Sequence, residues 1–313
     1  MPIENMRILS KVAHMYYKEG YTQAEIASNI GVSRSLISKF LTKARELGII
    51  EIIIHDADHK YRQLEREIEK VYGLREVVCI EGIGGELTKK QLGEATADYL
   101  YRVVKDGQII GFSSGTTLYE VAQAINGPQI FESATVVPLV GGLGNERVDV
   151  HSNTIVSKVG AALKANYKLL HLPVMVDTKE AKEVLKRQPS IREVLDIAER
   201  ADVAIVGIGG RPEHSTIVKS YLGYEHERVV GGADIIGDIC YNFIGVDGKP
   251  VNNDWNDKVI SIEIDKLRIL PLVIGVAAGI EKAEAIKAAL NGKLIQVLIT
   301  DEVTGKALLH SRE

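Results

Sequence analysis

Apolar and polar positions in the first fifty residues repeat with a helical period. Ile8, Leu9, Val12, Ala13 and Tyr16 share one stripe between Met6 and Glu19, and Gly20 closes the run. Thr22-Gln23-Ala24-Glu25 spells a capping box, in which the Thr22 hydroxyl accepts from the Glu25 amide while Glu25 reaches back. A short helix through Ile26, Ala27 and Ile30 follows. Gly31 suits a left-handed turn, and Ser33 can cap a third helix carrying Leu36, Ile37, Phe40, Leu41 and Ala44. Leu47-Gly48 stops that helix. The apolar run 49–54, broken only by Glu51, predicts a strand that would be the wing of a winged helix-turn-helix. Residues 59–72 are charged, with Tyr61, Leu64, Ile68 and Val71 on one stripe. This predicts a linker helix whose stripe pairs with a second chain or packs on its own domain.

From Leu74 onward the period changes. β-rich runs at 77–80, 109–112, 135–140, 201–208, 270–277 and 294–300 alternate with helical stretches. Thr88-Lys89-Lys90-Gln91 and Ser190-Ile191-Arg192-Glu193 look like further capping boxes. Strands separated by helices imply an α/β fold, a Rossmann-like parallel sheet with helices on both faces. The pattern divides the chain into a helix-turn-helix at 1–54, a linker helix at 55–73 and an α/β domain at 74–313.

Composition narrows the class. The chain has 313 residues, 45% of them apolar and 26% charged, the balance of a globular protein with room for two domains. No window is apolar enough to predict a membrane span or a signal peptide. Cys79 and Cys240 form neither a disulfide framework nor a metal pair, which fits a reducing cytoplasm. Neither a metal nor a cofactor is expected. The net charge of −4 argues against nucleic acid, but its distribution does not. Residues 1–50 hold seven Lys/Arg against four Asp/Glu, so the basic excess sits at one end.

That end has the parts of a DNA reader. A recognition helix contacts base edges with its N-terminal residues, and here Ser33, Arg34, Ser35, Ser38 and Lys39 face outward at the start of the third helix. Arg34 can read a guanine edge through two hydrogen bonds. Lys39, Lys43 and Arg45 suit phosphates, which position the protein without specifying sequence. Thr22 and Gln23 begin the preceding helix and can touch the backbone.

The α/β region carries candidate ligand chemistry. Gly111-Phe112-Ser113-Ser114-Gly115-Thr116-Thr117 runs from a strand into a helix. A loop of small residues there lets N–H groups and hydroxyls converge on an anion at a helix N-terminus. It is neither a P-loop nor a dinucleotide fingerprint. Gly141-Gly142, Asp238 and Lys282 also lie near predicted strand ends, where open α/β sheets bind ligands. Lys282 supplies the cation a phosphate needs, and Asp238 can accept sugar hydroxyls.

Six segments together resemble the SorC/DeoR-type family of bacterial sugar-responsive transcriptional regulators. They are YTQAEIASNIGVSRSLISKFL, GFSSGTT, VVPLVGG, ADVAIVGIG, GDICYNF and GVAAGIEKAEAIKAAL, in that order. The resemblance implies a sensor domain built like sugar-phosphate isomerases and deaminases. It implies that Ser113, Gly115, Thr116, Thr117 and Lys282 hold a phosphate, that Asp238, Gly141 and Gly142 face the sugar, and that Gly111, and Asn153 in HSNTI, belong to the effector site. One subgroup places a lysine before the GG pair to form an imine with its effector. Val140 stands there in this chain, so a non-covalent ligand is expected. The implied function is a cytoplasmic, carbohydrate-responsive repressor, not an enzyme. Its partners would be double-stranded operator DNA, a phosphorylated sugar and itself, as a homodimer or homotetramer. The alternative is a sugar-phosphate isomerase or deaminase with an appended DNA-binding unit.

Overall fold

The computed structural model describes residues 3–50, 61–142, 148–212 and 234–310, with the side chains of 3–5 set aside. The chain forms two compact units, Met1–Lys60 and Tyr61–Glu313. The 51–54 part of the predicted wing lies outside the described residues.

Among the described residues the first unit has three helices: α1 (Ile3–Tyr17), α2 (Gln23–Ile30) and α3 (Arg34–Glu46). Val12, Ile26, Ala27, Ile37 and Leu41 bury together at its centre, as the helical stripes require. The α2–α3 turn is made at Gly31, which is left-handed (φ 80°, ψ 35°) and returns its N–H to the Ala27 carbonyl. Both caps form. Thr22 Oγ1 accepts from Glu25 N at 3.3 Å while Thr22 N donates to Glu25 at 2.8 Å, and Ser33 Oγ accepts from Leu36 N at 3.3 Å. This is a helix-turn-helix.

The second unit runs α4 (Arg62–Tyr72), β1 (Glu76–Ile80), α5 (Gly85–Val103), β2 (Ile109–Phe112), α6 (Thr116–Ala124), β3 (Thr135–Pro138), α7 (Ser152–Leu163), β4 (Asn166–Tyr167), α8 (Lys179–Lys186) and α9 (Pro189–Ala198). It continues with β5 (Val203–Gly209), β6 (Gly237–Ile239), β7 (Asn242–Ile244), α10 (Asp254–Lys258), α11 (Ile264–Arg268), β8 (Val273–Val276), α12 (Ala283–Asn291), β9 (Val297–Asp301) and α13 (Glu302–His310). The sheet order is β1-β9-β8-β5-β2-β3-β4, with all neighbours parallel. Strands β6 and β7 form a hairpin that pairs antiparallel to the end of β5.

The central strands are buried on both faces, which explains their near-continuous apolar runs. Along β5, Val203 and Ile205 pack toward α5, α6 and α7, whereas Ala204, Val206 and Ile208 pack toward α12 and the hairpin. Helix α4 lies on the edge strand. Its Glu65 and Glu69 accept from the N–H groups of Cys79 (2.8 Å) and Val77 (2.9 Å), and the Tyr72 hydroxyl donates to Leu308 O of α13 at 2.8 Å. Free edge N–H groups invite pairing with another chain, and here two carboxylates occupy them. Of the expected stripe, Tyr61, Leu64 and Ile68 pack on this core, and Val71 is exposed.

Two capping boxes are displaced. Helix α5 begins one turn before Thr88, at Gly85, and Thr88 Oγ1 accepts from Gly84 N inside the first turn. Helix α9 begins at Pro189, whose fixed φ favours the first helical position, so Ser190 lies within the helix. Among the described residues no helix is long and apolar enough to cross a membrane.

Candidate functional site

The sheet order creates one special junction. The chain leaves β2 for β3 and β4 on one side, then returns as β5 on the other and proceeds to β8 and β9. Connections therefore diverge between β2 and β5, and ligands of open α/β sheets bind outside the carboxyl ends of strands at such a point.

The loop after β2 sits at this junction. Gly115 caps α6 at φ 123° and ψ 164°, a region only glycine occupies readily, and its N–H donates to Val150 O at 3.0 Å. The next N–H groups, of Thr116 and Thr117, head the helix and have no acceptor within it. Both threonine side chains are half-buried and accessible. Ser113 is committed inward instead. Its N–H donates to Ile205 O, and its hydroxyl accepts from Gly207 N at 3.3 Å and bonds the Cys240 thiol. Ser113 thus pins the loop to β5. Ser114 reaches across the junction and hydrogen-bonds the Tyr241 hydroxyl.

The β6–β7 hairpin faces this loop. Its two turn residues, Cys240 (φ 50°) and Tyr241 (φ 63°), are both left-handed, the geometry of a tight primed turn that normally asks for Asn and Gly. Surrounding contacts hold the strained pair. Asn242 Nδ2 donates to Ser261 Oγ and Ile262 O, and Trp255 Nε1 donates to Tyr241 O at 2.8 Å. Asp238 accepts from the Tyr241 N–H and lies in a slot over β5, where a Cβ on Gly209 would stand 1.9 Å from its Oδ1. Burial raises the Asp238 carboxyl to about 6, opposed by the charge of Lys282 and by the Tyr241 N–H. Burial also pushes up the Cys240 thiol, with Asp238 adding to the effect.

Lys282 enters from the far side of β5. It ends a 3₁₀ turn, Ile280–Lys282, just before α12, with its Cγ near Gly210. Loss of hydration pulls its pKa down, and Glu281 and Asp238 oppose that shift. Among the described residues its ammonium makes no ion pair or hydrogen bond. A desolvated lysine at the same end of the sheet as helix-N-terminal N–H groups and threonine hydroxyls offers the donors that an anion needs.

The remaining candidates stand nearby but are occupied. Gly141 N donates to Ile260 O and Gly142 N to Leu172 O, and a Cβ on Gly141 would lie 2.7 Å from Pro173 O. A Cβ on Gly111 would meet Leu139 at 2.6 Å, so this glycine serves close packing. Both ends of the Asn153 amide bond the Leu170 backbone, at 3.0 and 2.9 Å. The structure therefore brings together Gly115, Thr116, Thr117, Asp238 and Lys282. Gly209 and Tyr241 join them, and neither was legible from spacing. Among the described residues no group of three His, Cys, Asp or Glu could hold a metal ion.

On the first unit, Ser33, Arg34, Ser35, Ser38, Lys39 and Lys43 are exposed along one side of α3. Arg34 and Lys39 make no ion pair among the described residues, and Lys43 makes only a long one to Glu46 at 3.9 Å. The Thr22 hydroxyl is spent on Glu25, while Gln23 is half-buried at the start of α2.

A helix-turn-helix on the same chain as an α/β unit with a candidate ligand site is the make-up of a ligand-responsive transcriptional regulator. Comparison with known proteins agrees. The family described as "Putative sugar-binding domain" matches residues 59–310. Over 98% of both chains, the sequence is 32% identical to the sorbitol operon regulator of Klebsiella pneumoniae. Over 99% of both, it is 30% identical to the deoxyribonucleoside regulator of Bacillus subtilis. The crystal structure of full-length SorC from Klebsiella pneumoniae superposes with a TM-score of 0.75 at 30% identity, covering 97% of this chain and 98% of that one. A DeoR family regulator from Listeria monocytogenes gives 0.73 at 29% identity over 79% of this chain and 99% of its own. The chain belongs to the SorC/DeoR-type family of transcriptional regulators with a sugar-binding domain.

Proposed function

We propose that the chain is a cytoplasmic repressor of a carbohydrate-utilisation operon, released from its operator when a phosphorylated sugar binds non-covalently at the β2/β5 junction. The observation that carries this reading is Lys282, a desolvated lysine beside Gly210 at the end of β5, the same end of the sheet as the Thr116-Thr117 helix start, with no carboxylate within ion-pair distance among the described residues. The phosphate takes that end and Asp238 accepts sugar hydroxyls. Relatives named for sorbitol and deoxyribonucleoside regulation support a carbohydrate ligand. Non-covalent binding follows from Val140, which is fully buried and offers no amine. Residues 1–54 read DNA, 55–73 link, and 74–313 sense.

The unit is a sensor without turnover in this reading. Among the described residues, the carboxylate drawn into the junction is Asp238, and it is hydrogen-bonded by the Tyr241 N–H and held over Gly209, which commits it to the fold rather than to moving a proton. The protein acts as a homodimer or homotetramer, because helix-turn-helix pairs meet half-sites about 34–36 Å apart and a lone basic face binds weakly.

The test uses full-length protein, DNA from upstream of its own gene, and a panel of pentose, hexose and alditol phosphates. One panel member raises Tm and releases the DNA. Lys282→Ala abolishes both responses and keeps operator affinity. An unchanged response in Lys282→Ala overturns the site, and turnover of a panel member overturns the sensor reading.

A further inference from the structure

We propose that Lys89 is a second cation of this anion site and makes it select a doubly charged phosphate over a singly charged anion; the proposal rests on the anion-site reading above. Helices α5 and α6 follow the parallel strands β1 and β2 and pack on the same face of the sheet. They therefore run parallel, with both N-termini at the ligand end. Their register is fixed by a close backbone approach: a Cβ on Gly93 would lie 2.6 Å from the Glu120 carbonyl. One turn back along each helix, Lys89 stands opposite Thr116, the first residue of α6. Lys89 is also close enough to Lys282 for its charge to help hold that lysine's pKa down.

The Lys89 ammonium bonds Glu86 at 2.7 Å, on the exposed first turn of α5. Lys282, whose charge Lys89 opposes, has Glu281 and Asp238 beside it before α12. Two lysines whose charges act on each other, at the end of the sheet where the Thr116 and Thr117 N–H groups have no acceptor within their helix, match a phosphate monoester, which carries close to two charges above its second pKa of about 6. A single lysine balances only one of those charges. Lys89 exchanges Glu86 for the phosphate, which places an α5 side chain on the ligand.

Methyl phosphate and methyl sulfate are minimal probes of one shape and different charge. Titration calorimetry of the full-length protein at pH 8 compares them. Wild type prefers the phosphate, and Lys89→Gln lowers phosphate affinity about tenfold while leaving the sulfate within about twofold, the scale of one screened charge contact. Lys89→Arg keeps the preference, and Glu86→Gln tightens phosphate binding by freeing the lysine. If Lys89→Gln retains the full preference, or loses both anions equally, the role of Lys89 is refuted. If Lys282→Ala binds both probes as wild type does, the anion-site reading itself falls.

Discussion

Replacing Asp238 by Asn measures what this carboxylate costs the fold. Its carboxyl is raised from 3.8 to about 6 by burial in the Gly209 slot. The folded chain therefore keeps a proton there that the unfolded chain has already released. Stability contributed by this group falls as pH rises from about 4 to about 6, and the penalty is constant above that. At about 1.4 kcal/mol per pKa unit, the ceiling is about 3 kcal/mol. Solvent reaching the half-buried carboxylate reduces the expectation to about 1–2 kcal/mol. Asn keeps an oxygen for the Tyr241 N–H and the same shape in the slot, so the substitution removes the charge alone. Urea denaturation of wild type and Asp238→Asn in parallel from pH 4.5 to 8 gives a difference curve in which other titrating groups cancel. The variant is the more stable above pH 6, and its advantage shrinks toward acid. A gap that is absent at pH 7.5, or constant across the range, refutes the argument.

Gly209→Ala places a methyl on top of Asp238 Oδ1; two paired strands cannot yield, so overpacking costs about 1–3 kcal/mol, read as a lower Tm. An unchanged Tm contradicts that packing. Arg34→Ala costs about 1–3 kcal/mol on the operator and little on random DNA, whereas Lys43→Ala weakens both alike and lowers the salt slope by about one in gel shifts. Equal losses on both DNAs for Arg34→Ala would remove it from base reading. Asn153→Ala strands both polar groups of the buried Leu170 backbone, costing about 1–3 kcal/mol in urea while leaving sugar-phosphate affinity intact. A selective loss of affinity would return Asn153 to the ligand.

The helix-turn-helix and the sheet strands were legible because each rests on a local signal, either a cap, a left-handed glycine or a buried apolar run. The loop after β2 and the helix start behind it were legible for the same reason, since Gly115 and the threonines are contiguous. The ligand end became obscure wherever position depends on a distant partner. Gly111 and Gly141 look like ligand contacts in sequence, yet Leu139 and the Pro173 carbonyl are what demand the missing side chain. The hairpin was hidden because its strands are three residues long and Cys240-Tyr241 carries no turn signature. Its conformation is imposed by Asn242, Trp255 and Ser114. Lys89 reads as part of a helix cap and gains meaning only through the α5–α6 register.

The strand order also decides when the sensor can exist during synthesis. Strand β9, almost the last element made, inserts between β1 and β8. Until the ribosome has released residues 297–301, β1 has no strand beside it, and α4 waits for the α13 backbone that receives Tyr72. A nascent chain thus completes its DNA-reading head some 250 residues before its sugar-binding sheet closes. Chains cut short upstream of β9 carry a reading head that no sugar can instruct.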